Sequence, residues 1–206
     1  MFMREQTTGF VVLGVLAIGG DLSGYEIRQW ITQYVGMFWS ESYGQIYPEL
    51  KRLSKAGLIK ALASEDEARA KQRYRLTAAG RARLSEWLQK APRAEKPRLE
   101  LLLKLFFGRV TGVEAARRFI EAYGAAAERT VEALNGIERL ILADDAEAPD
   151  LVYSLIVASS GQMVHGARAA WAKRSLALID AYEKGGNEAV LRAHKRLARA
   201  AAAEAA

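Results

Sequence analysis

The sequence predicts a mainly α-helical protein in two parts: an N-terminal unit of three short helices, a two-stranded hairpin and a fourth helix, then an all-α C-terminal unit. Three observations carry this expectation. Gly36, Gly44 and Gly57 cut the first ninety residues into short segments, whereas Leu99 to Tyr182 shows long helical patterns broken only twice. Two of the four prolines fall within Ala91 to Pro97, which no helix interior tolerates, so the boundary is placed between residues 1–90 and 91–206. The chain of 206 residues is 50% apolar and has no cysteine, enough to bury cores without disulfide or thiolate-metal staples and suited to a reducing compartment.

Phe10, Leu13, Leu16 and Ala17 recur at helical spacing and predict a first helix that stops at Gly19-Gly20. The apolar run Phe10 to Ile18 is too short for a membrane span and too weakly flanked for a signal peptide. It reads as a buried helix, in a cytoplasmic chain with no membrane partner. Ser23-Gly-Tyr-Glu26 is a capping box that starts a second helix at residue 24, with Ile27, Trp30, Ile31 and Tyr34 on its inner face and Gly36 at its end. A third helix turns Ile46, Leu50 and Leu53 inward and closes at Gly57, which can take the left-handed conformation and let Leu58 fold back on Leu53. Pro48 would clash with the Gly44 carbonyl in a helix begun at Tyr43, so that helix begins late or has a loose first turn. Extended runs at 58–62 and 72–76, separated by a charged stretch, make the hairpin. Thr77 then caps a fourth helix to about Lys90, with Leu84, Trp87 and Leu88 inward.

This order of elements is that of a winged helix-turn-helix, and charge points to the same chemistry. The net charge is +6 and the pI about 9.6, with 13 basic and 9 acidic residues in 1–90 against 17 and 15 in 91–206. An excess of that sign favours polyanionic partners. At about 100° per residue, Gly44, Lys51 and Lys55 point away from the Ile46–Leu50–Leu53 face, flanked by Gln45, Tyr47 and Arg52. Gly44 admits a phosphate close to the backbone, the Gln45 amide can pair bidentately with adenine, Tyr47 can stack or donate to phosphate, and Lys51 and Arg52 add charge. On the returning strand Arg73 and Arg75 alternate with Tyr74 and Leu76, so both arginines share a face, extended by Lys71 and Arg69. That is how a wing lies along phosphates or reaches a minor groove. Glu65, Asp66 and Glu67 at the tip would be repelled by DNA. The competing reading, a winged helix docking a protein, would expose apolar anchors where these cations stand.

Leu22-Ser-Gly-Tyr-Glu-Ile27, Tyr43-Gly-Gln-Ile-Tyr-Pro-Glu-Leu50, Ala56-Gly-Leu-Ile59 and Arg73-Tyr-Arg-Leu-Thr-Ala-Ala-Gly80 together resemble the PadR family of transcriptional regulators over about residues 10–90. Leu101-Leu-Leu-Lys-Leu-Phe-Phe-Gly108 and the Trp171 helix resemble family members with a long C-terminal domain. The resemblance implies a dimeric repressor binding double-stranded DNA, controlled by a small-molecule effector and dimerising through C-terminal helices. The residues expected to contact DNA, on the third helix and the returning strand, are Tyr43, Gly44, Gln45, Tyr47, Lys51, Arg52, Lys71, Arg73 and Arg75. Tyr43-Gly44-Gln45 stands where other members carry Pro-Gly-Thr, which bears on base preference rather than on use of the helix.

In the second half Thr111-Gly-Val-Glu114 has the form of a capping box, opening a helix with Phe119, Tyr123 and Ala126 inward that continues to about Leu142, with Asn135-Gly136 as a candidate break. Another helix is expected from Leu151 to about Glu183, stopping at Gly185-Gly186, and the alanine-rich end from Leu197 has little to bury. Apolar stripes this long exceed what one small unit can bury, and palindromic operators reward two-fold symmetry, so a homodimer follows. Gln162, Met163, Trp171 and Tyr153 are candidates for an effector pocket as well as for core. His165 and His194 lack metal-ligand spacing, no cofactor is implied, and no nucleophile, base and orienting group stand together as an enzyme would need.

Overall fold

The computed structural model describes residues 7–36, 38–39, 43–62, 72–92, 98–143 and 150–204. The chain divides into two compact units, Met1–Glu95 and Lys96–Ala206.

In the first unit, α1 (Thr7–Gly19) is followed by a short strand β1 (Leu22–Ser23) and by α2 (Gly24–Trp30), which widens into a π-helical turn, Ile31–Val35. A 3₁₀ turn, Tyr43–Gln45, leads into α3 (Ile46–Lys55), then β2 (Ile59–Ala61), β3 (Arg73–Leu76) and α4 (Ala78–Leu88). The capping box forms: the Glu26 N–H donates to Ser23 Oγ at 3.3 Å and the Ser23 N–H donates to Glu26 Oε2 at 2.7 Å. Pro48 is accommodated because α3 begins at Ile46, placing the proline in the first turn, where backbone N–H groups have no helical acceptor. Gly57 has φ +70°, and the Leu58 N–H donates to the Leu53 carbonyl at 3.0 Å, closing the helix as its sequence predicts. Leu13, Ile27, Ile46, Leu50, Leu53 and Ile59 are each no more than 2% exposed and form the centre of the core.

The sheet differs from the expected two-stranded hairpin. It has three antiparallel strands in the order β1-β3-β2, with Leu22 opposite Tyr74 and Leu76 opposite Ile59. A strand of two residues is too short to show any alternation, so only tertiary pairing reveals it. Tyr34 is 48% exposed rather than buried, because the π turn shifts the register of the inner face after Ile31. Leu88 also points outward, while Trp87 lies partly exposed with its ring stacked on Phe10, centroids 4.7 Å apart.

The second unit comprises α5 (Glu100–Phe106), a 3₁₀ turn Gly108–Val110, α6 (Val113–Ala143) and α7 (Leu151–Glu204). Asn135-Gly136 does not break α6. The expected Thr111 cap does not form: Gly112 takes φ +81°, and the Thr111 hydroxyl donates back to the Gly108 carbonyl at 3.4 Å. The inner face of α6 is Ile120, Gly124, Ala127 and Leu134, so Phe119 and Ala126 lie outside it. Small residues set that register. A Cβ added to Gly124 would stand 2.7 Å from Ala172 Cβ, so α6 and α7 approach closely there, and Arg117 of α6 binds Asp180 and Glu183 of α7 at 2.6 and 2.8 Å. Among the described residues no helix is long and apolar enough to cross a membrane.

Candidate nucleic-acid interface

Helix α3 presents the face its sequence predicts. Ile46, Leu50 and Leu53 are buried, while Gly44, Gln45, Tyr47, Lys51, Arg52 and Lys55 are exposed. Tyr43 opens the 3₁₀ turn that brings Gly44 and Gln45 to the head of the helix. The Tyr47 ring is braced from behind: a Cβ on Gly24, the first residue of α2, would lie 2.8 Å from Tyr47 Cε1. The glycine of the Ser-Gly-Tyr-Glu motif thus makes room for an aromatic side chain on the neighbouring helix.

Arg52 is less free than its position on the helix wheel implies. Its Nε and guanidinium donate to Glu49 at 2.9 and 2.5 Å, and Glu49 is only 4% exposed. Burying a carboxylate without a partner is costly, so the bidentate pair makes Arg52 a neutralising group as well as a surface cation. Helix α1 covers this pair at Gly9, where any Cβ would collide with the Glu49 carboxylate. The buried role of Glu49 was not legible in sequence, because a glutamate beside an arginine on a surface helix ordinarily reads as a solvated pair.

Arg73 and Arg75 share the exposed face of β3, with Tyr74 and Leu76 turned inward. That face also holds acids. Arg75 binds the Asp21 carboxylate with Nε at 2.8 Å and with its terminal nitrogen, Arg73 donates to the Asp21 carbonyl, and Arg73 lies 3.9 Å from Glu26. The hydrogen bond from Arg75 holds the Asp21 carboxyl below its ordinary pKa. Asp21 lies 54 residues from Arg75 in sequence, and only the pairing of β1 with β3 brings it there. Lys71, Arg69 and the acids of the tip lie outside the described residues.

The second unit holds a separate cavity of about 410 Å³ lined by Leu99, Leu102, Tyr123, Trp171, Arg98 and Arg168 among others. Tyr123 and Trp171 meet edge to face with centroids 5.8 Å apart. Of the four residues expected to line a pocket, Trp171 does so. Gln162 instead donates to Asn135 and Glu138, at 2.9 and 2.8 Å, and Met163 and Tyr153 are 73% and 69% exposed. One turn before Arg168, His165 Nδ1 is buried with no hydrogen-bond partner among the described residues. Burial, with the Arg168 charge, lowers the His165 pKa.

Comparison with known proteins gives this arrangement a context. Residues 12–86 match the model of the transcriptional regulator PadR-like family, and residues 97–180 match the virulence activator alpha C-terminal model. The negative transcriptional regulator PadR of Bacillus subtilis (strain 168) is 37% identical over 100 residues, 48% of this chain and 54% of that protein, so the aligned stretch spans about half of the relative. The crystal structure of Bacillus subtilis PadR in complex with operator DNA superposes with a TM-score of 0.71 at 28% identity, covering 84% of this chain and 99% of that one. The same protein in complex with p-coumaric acid gives a TM-score of 0.67 at 29% identity, covering 85% and 99%. The Vibrio cholerae virulence activator AphA gives 0.68 at 26% identity, covering 84% and 98%. The chain shares the fold of these proteins over most of its length, and its winged helix, residues 12–86, belongs to the PadR-like family of transcriptional regulators.

Proposed function

We propose that this protein is a repressor that binds a near-palindromic operator as a homodimer in the cytoplasm and is released by a small molecule. The observation that carries the DNA-binding reading is the division of α3 into a fully buried face, Ile46, Leu50 and Leu53, and an exposed one, Gln45, Tyr47 and Lys51. Such a helix is fixed rigidly from behind while its donors and its cation face a groove. Tyr43 and Gly44 bring the backbone to phosphate at the start of the helix, Gln45 and Tyr47 read bases, and Lys51 and Arg52 hold phosphates. Arg73, Arg75 and Lys71 serve the wing. Dimerisation is supported by α7, where Val152, Ile156 and Met163 form an exposed apolar stripe at 55%, 61% and 73% exposure, flanked by Tyr153 and Val164. A single chain leaves that stripe in water, and a second copy would cover it. The 410 Å³ cavity, with aromatic walls and the cations Arg98 and Arg168, suits a planar aromatic acid of the kind bound by the B. subtilis relative.

The test is a gel shift with promoter fragments of its own and neighbouring genes, repeated with p-coumaric acid. A shift that the acid reverses supports the whole reading. No shift on any promoter overturns it.

Tyr47→Ala and Gln45→Ala are each expected to weaken operator binding by about 1–3 kcal/mol relative to random DNA, with fold and dimer intact by circular dichroism and sedimentation. Operator binding as tight as that of the parent would show that α3 is not the reader. Arg73 and Arg75 already face carboxylates, so each gains less from a phosphate than an unpaired cation would. Replacing both with alanine should weaken specific and random binding alike and reduce the salt dependence by at most about two phosphate contacts. An unchanged slope of affinity against salt would remove the wing from the interface.

A further inference from the structure

Helix α7 leaves helical geometry at Gly185 and Gly186, where Gly186 takes φ +59°, and then resumes. The segment beyond lies outside both matched family models, the later of which ends at residue 180. It is also where the excess charge of the second half resides. Residues 187–206 hold four basic and two acidic side chains, whereas residues 91–186 hold 13 of each sign.

The four cations are Arg192, Lys195, Arg196 and Arg199, spaced i, i+3, i+4 and i+7. At about 100° per residue they fall within an arc of about 100° on one side of the helix. All four are exposed. A different side, Ala189, Val190, Ala193 and Leu197, is the covered one, and Ala193 is 6% exposed. Among the described residues only Arg192 of the four has an ion-pair partner, Glu188 at 3.5 Å. Packing therefore fixes the helix by its apolar side and leaves a row of cations facing water.

We infer that the Arg192–Lys195–Arg196–Arg199 stripe is a second, sequence-independent contact surface for duplex DNA, gripping phosphates while α3 reads bases. The stripe extends about 10 Å along the helix axis. Over that length duplex DNA presents about six phosphate charges. A membrane surface fits less well, because an interfacial helix needs an apolar face turned outward, and Leu191 is the one large apolar side chain exposed among the described residues of this segment. DNA is the favoured polyanion because the winged helix of the same chain already brings it to the molecule. The inference rests on the DNA-binding reading above.

The experiment compares the full-length parent with the quadruple variant R192Q/K195Q/R196Q/R199Q on a random-sequence duplex longer than the winged helices can span, over about 50–200 mM salt. With two phosphates held per protomer, the slope of log affinity against log salt should fall by about two for each protomer bound. At the low-salt end the affinity should drop tenfold or more, with helicity and sedimentation unchanged. The charge-retaining variant R192K/R196K/R199K should behave as the parent. Identical slopes and affinities for the parent and the glutamine variant would overturn the assignment and leave the stripe to an acidic protein. Loss of binding in the lysine variant as well would overturn it too, since charge would then not be the operative feature. A parent that binds no DNA at all is a different result, and it removes the DNA-binding reading itself.

Discussion

Gly80→Ala is expected to destabilise the winged-helix unit by about 3 kcal/mol or more, although helix propensity alone argues for the opposite sign. Gly80 sits in the first turn of α4, where exchanging glycine for alanine usually gains about 0.5–1 kcal/mol. Its surroundings reverse that expectation. A Cβ there would overlap the Leu58 carbonyl oxygen and stand 2.7 Å from Leu76 Cδ1. The same carbonyl accepts from the Thr77 N–H at 3.1 Å, and the Thr77 hydroxyl lies 2.8 and 2.9 Å from the carbonyls of Gly57 and Leu58 while accepting from the Gly80 N–H at 3.0 Å. The end of α3, the start of β2 and the cap of α4 thus meet at one backbone atom that has no room to move. For a unit of this size the loss corresponds to a fall of about 12 °C or more in its unfolding midpoint. Thermal unfolding followed by circular dichroism checks it. A midpoint equal to or above that of the parent would mean that this junction can open.

Truncation after Lys90 should leave a folded winged helix that is largely monomeric and binds operator DNA at least about a hundredfold more weakly than the full chain. The first unit has its own core, completed by Leu84 and by the Trp87 ring stacked on Phe10, so it does not depend on the deleted residues for its fold. The deletion removes α6 and α7, and with them the exposed Val152, Ile156 and Met163 stripe to which the dimer is assigned. Two half-sites bound by a preassembled dimer gain an effective concentration that two separate monomers must supply from solution. Sedimentation of both proteins and titration on the same promoter fragment are the measurements. A fragment that sediments as a tight dimer at low micromolar concentration would place the interface in the winged helix and overturn the assignment of α7.

What the sequence determined by itself is most of what is governed by interactions a few residues long. The capping box at Ser23 and Glu26, the left-handed Gly57 with Leu58 folded back, the Thr77 cap and the buried face of α3 each depend on side chains within about one or two helical turns, so residue type and spacing specify them. The polar outer face of α3, which is the candidate reading surface, follows from the same periodicity. The tertiary structure decided whatever depends on partners distant in sequence. Phe119 and Ile120 are equally apolar, and so are Ala126 and Ala127. The choice of Ile120 and Ala127 for the inner face comes from the close approach of Gly124 to Ala172, which periodicity does not encode. One local motif also misleads: Thr111 has the form of a cap, but the left-handed Gly112 takes the chain into α6 instead. Strand alternation puts Arg73 and Arg75 on one face, yet their partner Asp21 reaches them only because a strand of two residues pairs with β3, and Glu49 is buried only because α1 crosses it at Gly9. Periodicity records which way a side chain points from its own element, and the charge it meets there is set by whichever element folds over it.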